Sequence, residues 1–231
     1  MRRRLTTLRL KHGYETFADY FAAMSKDEKL RSEFLDRMTI NVSEFWRNPN
    51  RWQLLRERFL PDMLRRAGRL SLWSAACSTG EEPYTLAMIL DAHGALDRAA
   101  ILATDIDEGA LAKAQRGAYP ERSIRDVPPE FVRKYFTEEN GEYRVLERLK
   151  RAVTFRKQDL LRDPFGDRYD LIVCRNVLIY FTEDAKRMLY AKFAGALKPG
   201  GLLFVGSTEQ IIAPGNYGLE TADTFFYRRS V

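Results

Sequence analysis

Apolar residues recur at helical spacing over the first third of the chain, then give way to short apolar runs. Leu30, Phe34, Leu35 and Met38 form one helical stripe, and Trp52, Leu55, Phe59, Leu60, Met63 and Leu64 form another, closed by Gly68. Thr16 and Asp19 suit the start of a short helix, and Ser25-Lys26-Asp27-Glu28 predicts a capping box. Asn48-Pro49 breaks the chain between the stripes. From Leu70 the pattern changes: apolar runs at 70–76, 101–104, 153–156, 171–174 and 202–205 predict strands, with helices at 82–90, 108–116 and 182–197. This alternation predicts an α/β fold, a parallel sheet with helices on both faces. The segment 119–152 interrupts the rhythm with Pro120, Pro128, Pro129 and an Asn140-Gly141 turn signal, and predicts a small inserted β-subdomain. Thr224–Arg228 predicts a last strand, antiparallel and at the sheet edge. The expected domains are helices over 1–66 and the sheet over 67–231.

Composition narrows the class. The chain has 231 residues, 45% apolar and 30% charged, which is ordinary for a globular protein and argues against disorder. No apolar run reaches membrane-spanning length, so no direct membrane insertion is expected. Met1-Arg2-Arg3-Arg4 resembles the basic end of a signal peptide, but no apolar stretch follows. Cys77 and Cys174 cannot make a disulfide framework, and with only His12 and His93 a Cys/His zinc site is not expected. The compartment this suggests is the cytoplasm.

Charge is uneven. The net +6 arises entirely within residues 1–68, which hold 15 basic and 9 acidic residues. That suits a module facing an acidic partner, or equally a solvated helical surface. No aromatic-and-basic RNA motif appears, so no stable nucleic-acid partner is expected.

The candidate chemistry lies in the strand-end loops, where doubly wound sheets bind ligands. The loop after the first strand, Ala75-Ala76-Cys77-Ser78-Thr79-Gly80-Glu81-Glu82, has one glycine and two carboxylates. It is neither a dinucleotide fingerprint nor a Walker loop. Glu81 and Glu82 repel phosphate and suit a cationic ligand such as S-adenosylmethionine. Alone they are better explained by stabilisation of a helix N-terminus. Asp105 follows the second strand, where such folds hold a ribose hydroxyl, while Asp107 is the better cap for the next helix. Arg175, Asn176 and Tyr180 follow the strand at 171–174. Tyr180 by itself reads equally as packing.

Thr39-Ile40-Asn41-Val42-Ser43-Glu44-Phe45-Trp46-Arg47, Trp73–Tyr84, Thr104-Asp105-Ile106-Asp107, Cys174–Phe181 and Gly206-Ser207-Thr208-Glu209 together resemble the chemotaxis protein methyltransferases, the CheR family. The resemblance runs through nearly the whole chain in order. It implies a Rossmann-like methyltransferase sheet with an N-terminal helical domain and an inserted β-subdomain. It implies an S-adenosyl-L-methionine-dependent O-methyltransferase, releasing S-adenosyl-L-homocysteine and forming glutamyl methyl esters on the cytoplasmic helical domain of chemoreceptors. By similarity Asn41, Ser43, Arg47, Glu82, Asp105, Asp159, Leu160, Cys174 and Arg175 line the cofactor site, and Arg47 and Tyr180 stand nearest the reacting methyl group. Asp159 stands where some relatives carry Asn. The chain starts partway into the family's usual N-terminal domain, which leaves room for a missing first helix. The stretch Thr137–Glu142 is shorter than the hairpin of relatives that grip a receptor's C-terminal pentapeptide tether, so this chain is expected not to use one. The competing readings are a methyltransferase for another substrate and a module that senses S-adenosylmethionine or a nucleotide.

Overall fold

The computed structural model describes residues 2–38, 43–166 and 168–230. The chain divides into two compact units, one up to Val42 and one from Ser43. The first holds α1 (Arg2–Lys11), α2 (Phe17–Met24) and α3 (Glu28–Met38) around Leu8, Tyr20, Met24 and Leu30. Thr16 caps α2 as expected, accepting from the Asp19 amide. The predicted capping box is corrected: Ser25 ends α2, and Asp27 caps α3 by accepting from the Lys29 and Leu30 amides. One Asp oxygen serving two free helix donors leaves Ser25 no role there. The side chains of Leu35 and Met38 lie outside those described.

The second unit begins with α4 (Pro49–Leu54) and α5 (Leu60–Arg66), joined by a π turn over Leu55–Phe59. Pro61 lacks an amide hydrogen, and the widened turn, in which the Leu60 amide reaches the Leu55 carbonyl, accommodates it. This helical stretch does not belong with the first domain, as a boundary at residue 66 requires. Trp52, Leu55, Phe59 and Leu60 are buried in the sheet's core, with Trp52 edge-on to Phe204 and Phe59 against Phe226. The charge excess divides accordingly. Residues 1–42 hold nine basic and six acidic groups, and 43–68 hold six and three. Among the latter, Arg51 and Arg58 lie 3.7 and 2.8 Å from Asp223 and are partly spent inside the unit.

The sheet follows: β1 (Leu70–Ala75), α6 (Glu81–Ala92), β2 (Ala99–Asp105) and α7 (Glu108–Arg116). Asp107 caps α7, accepting from the Ala110 amide. The insertion is then a three-stranded antiparallel sheet of β3 (Ala118–Pro120), β4 (Phe136–Glu139) and β5 (Glu142–Val145), flanked by α8 (Pro129–Tyr135) and α9 (Glu147–Arg151). Asn140 and Gly141 both take positive φ, 53° and 75°, so β4 and β5 join through the two-residue turn their sequence signals. The main chain resumes with β6 (Val153–Lys157), β7 (Tyr169–Cys174), α10 (Glu183–Ala196), β8 (Leu197–Val205), β9 (Leu219–Asp223) and β10 (Phe226–Arg229).

The seven-stranded order is β6-β2-β1-β7-β8-β10-β9, with the first five strands parallel. The last strand is antiparallel to β8 as expected, but it is not the edge, because β9 pairs outside it. Leu219 is the one fully buried residue of β9, so its pattern carries little strand signal. Side chains alternate across the sheet: Leu72, Leu171, Val173 and Phe204 face one core, and Trp73, Ile172, Cys174 and Val205 face the other. No helix among the described residues is long and apolar enough to cross a membrane.

Candidate active site

Chain order runs outward from β1 through β2 to β6, then returns to β7 on the other side of β1. The switch point therefore lies between the carboxyl ends of β1 and β7, where an open α/β sheet leaves a crevice. The loops after β1, β2, β6 and β7 meet there.

The loop after β1 is tightly held. Ala76, Ser78 and Gly80 all take positive φ. At Gly80 a Cβ would stand 2.7 Å from the Ala114 Cβ, so glycine is required on both backbone and packing grounds. The buried Tyr119 of the inserted subdomain braces the loop by donating its hydroxyl to the Thr79 carbonyl at 2.7 Å. Glu81 and Glu82, adjacent in sequence, separate in role. The Glu81 carboxylate accepts from Thr79 Oγ1 at 2.7 Å and from Ser43, and so closes the start of α6. Ser43 is thereby placed beside the cofactor loop. Glu82 turns back to the strand, accepting from Ser74 Oγ at 2.7 Å, with Arg175 Nη1 4.0 Å from its other oxygen. Burial pushes its carboxyl up to about 7, against the pull of Arg175 and the Ser74 hydrogen bond.

Asp105 ends β2. One oxygen accepts from the Ser78 amide at 2.7 Å and the other from the Asp107 amide at 2.9 Å. Burial raises its carboxyl above the ordinary aspartate value, and those amides oppose the rise. The β6 end is tied on through the Gln158 amide, which reaches the Asp105 carbonyl at 2.9 Å. Asp159 then closes its own turn by accepting from the Leu161 amide, and Leu160 is buried in the core beside Trp73.

On the opposite flank Cys174 has no exposed surface and points into the core below β7. Arg175 is buried too. Its Nη2 donates to the Arg47 carbonyl and to Asn48 Oδ1, both at 2.8 Å, and its guanidinium lies 4.7 and 5.3 Å from the ring centres of Phe204 and Trp52. Arg175 therefore fixes the strained Trp46–Asn48 turn, where Trp46 and Asn48 have φ of 55° and 61°. Arg47, between them, is close enough for its charge to act on both Glu82 and Arg175. Tyr180 closes a 3₁₀ turn after β7 and is 62% exposed. Asn41 lies outside the described residues.

Three residues that the sequence did not single out complete the site. Ser74 carries the hydroxyl that meets Glu82. The Ser78 hydroxyl is buried in the crevice loop without a hydrogen-bond partner. Glu209 straps the β7 and β8 loops together through three backbone amides. All three lie in stretches that carry the family resemblance, Trp73–Tyr84 and Gly206–Glu209, but no pattern marks their roles. Among the described residues no group of three His, Cys, Asp or Glu side chains is placed to hold a metal.

This donor set fits a cationic nucleoside such as S-adenosylmethionine. Glu82 is a buried carboxylate with one hydroxyl donor and a distant guanidinium, Asp105 keeps acceptor capacity on both oxygens, and the Ser78 hydroxyl needs a partner.

Comparison with known proteins agrees. Residues 41–225 match the family described as CheR methyltransferase, SAM binding domain, and residues 1–39 match CheR methyltransferase, all-alpha domain. A chemotaxis protein methyltransferase of Listeria innocua is 43% identical over 228 residues, 98% of this chain and 87% of that protein. Another, from Borreliella burgdorferi, is 34% identical over 241 residues, 98% of this chain and 84% of that protein. The chain belongs to the CheR methyltransferase family, and it is an S-adenosylmethionine-dependent methyltransferase of chemotaxis.

Proposed function

We propose that the chain esterifies glutamate side chains on the cytoplasmic helices of chemoreceptors. The observation that carries this reading is that the turn bearing Arg47, pinned by Arg175, and the loop after β7 bearing the exposed phenol of Tyr180 both belong to the β7 flank of the crevice. A glutamate carboxylate is already ionised at neutral pH, since it titrates near ~4.3, and needs no base to act as nucleophile. What it needs is orientation and loss of water, which a guanidinium and a phenol on fixed loops can provide. Bound S-adenosylmethionine supplies the electrophilic methyl group. Glu82, Asp105 and Ser78 hold it, with Asp159 and Leu160 at the far end of the crevice. Arg47 orients the incoming carboxylate, and Tyr180 aligns it by hydroxyl and ring.

The test is transfer of labelled methyl to a purified chemoreceptor cytoplasmic fragment, followed by mild alkali. Alkali-labile label supports a glutamyl ester, and alkali-stable label overturns it. Arg47→Ala is expected to lower kcat about 10²–10³-fold and Tyr180→Phe about tenfold, each with the melting temperature retained. Parallel loss of activity and melting temperature instead makes either residue structural. The receptor is acidic by this reading, so turnover falls with added salt; salt-independent turnover contradicts it. The two-residue Asn140-Gly141 turn between β4 and β5 supports receptor engagement without a pentapeptide tether. Micromolar binding of such a peptide would overturn that part.

A further inference from the structure

Glu209 is a carboxylate buried to 5% exposure in the turn after β8. The Arg175 guanidinium is near enough for the two charges to act on one another, without a direct ion pair. The Glu209 oxygens are held by backbone donors instead. Oε2 accepts from the Asn176 amide at 2.7 Å and the Gly206 amide at 2.8 Å, and Oε1 accepts from the Ile179 amide at 3.3 Å. A buried anion is costly unless its acceptors are filled, so these donors are a condition of its being there. The turn is shaped around it. A Cβ on Gly206 would stand 2.5 Å from Glu209 Oε2 and 2.7 Å from the Asn176 nitrogen, closer than any side chain tolerates.

Two of the three donors belong to the loop after β7. Asn176, at φ 60°, opens that loop, and Ile179 lies in the 3₁₀ turn that ends in Tyr180. Tyr180 stands 62% exposed, and among the described residues its side chain makes no hydrogen bond or ring contact. Its position is therefore set by its backbone, which the turn's own hydrogen bonds, the buried Leu178 and the Glu209 carboxylate hold together.

We propose that Glu209 is a positioning residue for methyl transfer, acting through Tyr180 by holding the Asn176–Tyr180 turn against the end of β8. This rests on the role given to Tyr180 above. Glu209→Gln keeps the side chain's size but turns one acceptor into an amino group facing backbone donors. Gly206→Ala is the second variant, displacing the carboxylate while leaving the side chain itself unchanged.

Two measurements are made on the full-length enzyme. The first is hydrogen exchange over residues 175–181. In Glu209→Gln exchange there rises at least about tenfold, while β1 and β2 keep their protection. Unchanged exchange overturns the proposal whether or not the receptor fragment is the substrate, and so do β1 and β2 opening equally. The second is turnover with cofactor affinity measured beside it. Glu209→Gln lowers kcat about 10–100-fold with the cofactor Kd within about threefold, and Gly206→Ala behaves likewise. Because Glu209 acts through Tyr180, the double variant Glu209→Gln/Tyr180→Phe is no slower than its slower parent by more than about twofold. Multiplied losses overturn the proposal. Loss of turnover in Tyr180→Phe with none in Glu209→Gln also overturns it, while leaving the reading of Tyr180 standing.

Discussion

Glu209 and Glu82 lie on opposite flanks of the crevice, both largely out of solvent, and the two flanks treat them in opposite ways. On the β7–β8 side, Glu209 takes three backbone amides and becomes part of the loop's shape. On the β1 side, Glu82 receives one serine hydroxyl and looks across at a guanidinium 4.0 Å away. Its carboxyl is pushed up to about 7 as a result. One carboxylate is consumed in building the site. The other is left underpaired beside the crevice, where the function proposed above places the cationic cofactor. A buried acid therefore has two uses, distinguished by counting its donors rather than by its burial.

Arg175 joins the flanks, and its removal gives the largest expected effect. Arg175→Met keeps an aliphatic stem between Trp52 and Phe204 but deletes the guanidinium. The Arg47 carbonyl and Asn48 Oδ1 then lose their donor, and Glu82 loses its cation. Breaking a buried charged contact in this way costs about 3–5 kcal/mol. Denaturant unfolding at pH 8 measures it. Adding Glu82→Gln to that variant should restore part of the loss, because no uncompensated charge remains. A loss below about 1 kcal/mol, or no rescue, shows that Glu82 and Arg175 are not energetically joined.

Glu82→Gln alone comes next, and its sign depends on pH. Glu82 is an acid whose folded value, about 7, lies above the unfolded value of 4.5. Between these limits the unfolded chain releases a proton that the native chain keeps. Native stability without cofactor therefore falls as pH rises from about 4.5 to about 7 and is level above. The variant lacks this fall, so its stability relative to wild type rises between about pH 4.5 and about pH 7 and is constant above. Cofactor binding runs the other way, because the ionised carboxylate attracts the cation. Wild-type affinity should tighten up to about tenfold per pH unit below 7 and level off above it. Glu82→Gln should bind about 10–100-fold more weakly at pH 8 with a flat pH dependence. Calorimetric titration between pH 5.5 and 8.5 decides it, and a wild-type affinity independent of pH removes Glu82 from the binding site.

How much of this was legible in the sequence follows the same division. Strands, helices and the insertion show in apolar periodicity because each buries a face. Asp105 stands out because it ends the second strand, where such folds hold a ribose hydroxyl, whereas Glu82 stands out only through the family motif, its pattern alone suiting a helix start. The partition between Glu81 and Glu82 does not show, since two adjacent glutamates differ only in where the helix start aims them. The helix over 49–66 reads as part of the N-terminal module because its apolar stripe reveals burial without revealing the partner; only Phe204 and Phe226, some 150 residues on, supply it. Glu209 shows as part of a family motif, but its role depends on backbone amides, which every residue carries and no sequence pattern displays.

Ser74→Ala is the finest cut into the comparison. Ser74 lies on β1, its hydroxyl 2.7 Å from Glu82 Oε1, and that bond favours the ionised carboxylate. Removing it leaves Arg175 and the loop unchanged and takes away the one short donor on the underpaired side. A hydrogen bond to an ionised group contributes about 1.5 kcal/mol or somewhat more, so the midpoint of the binding curve moves up by about one pH unit. At pH 8 the cofactor then binds only about twofold more weakly, and at pH 9 the difference nearly vanishes. An affinity deficit that persists undiminished at pH 9 shows that Ser74 contacts the ligand itself. A midpoint that does not move shows that burial alone sets the Glu82 carboxyl, and that its single donor does not tune it.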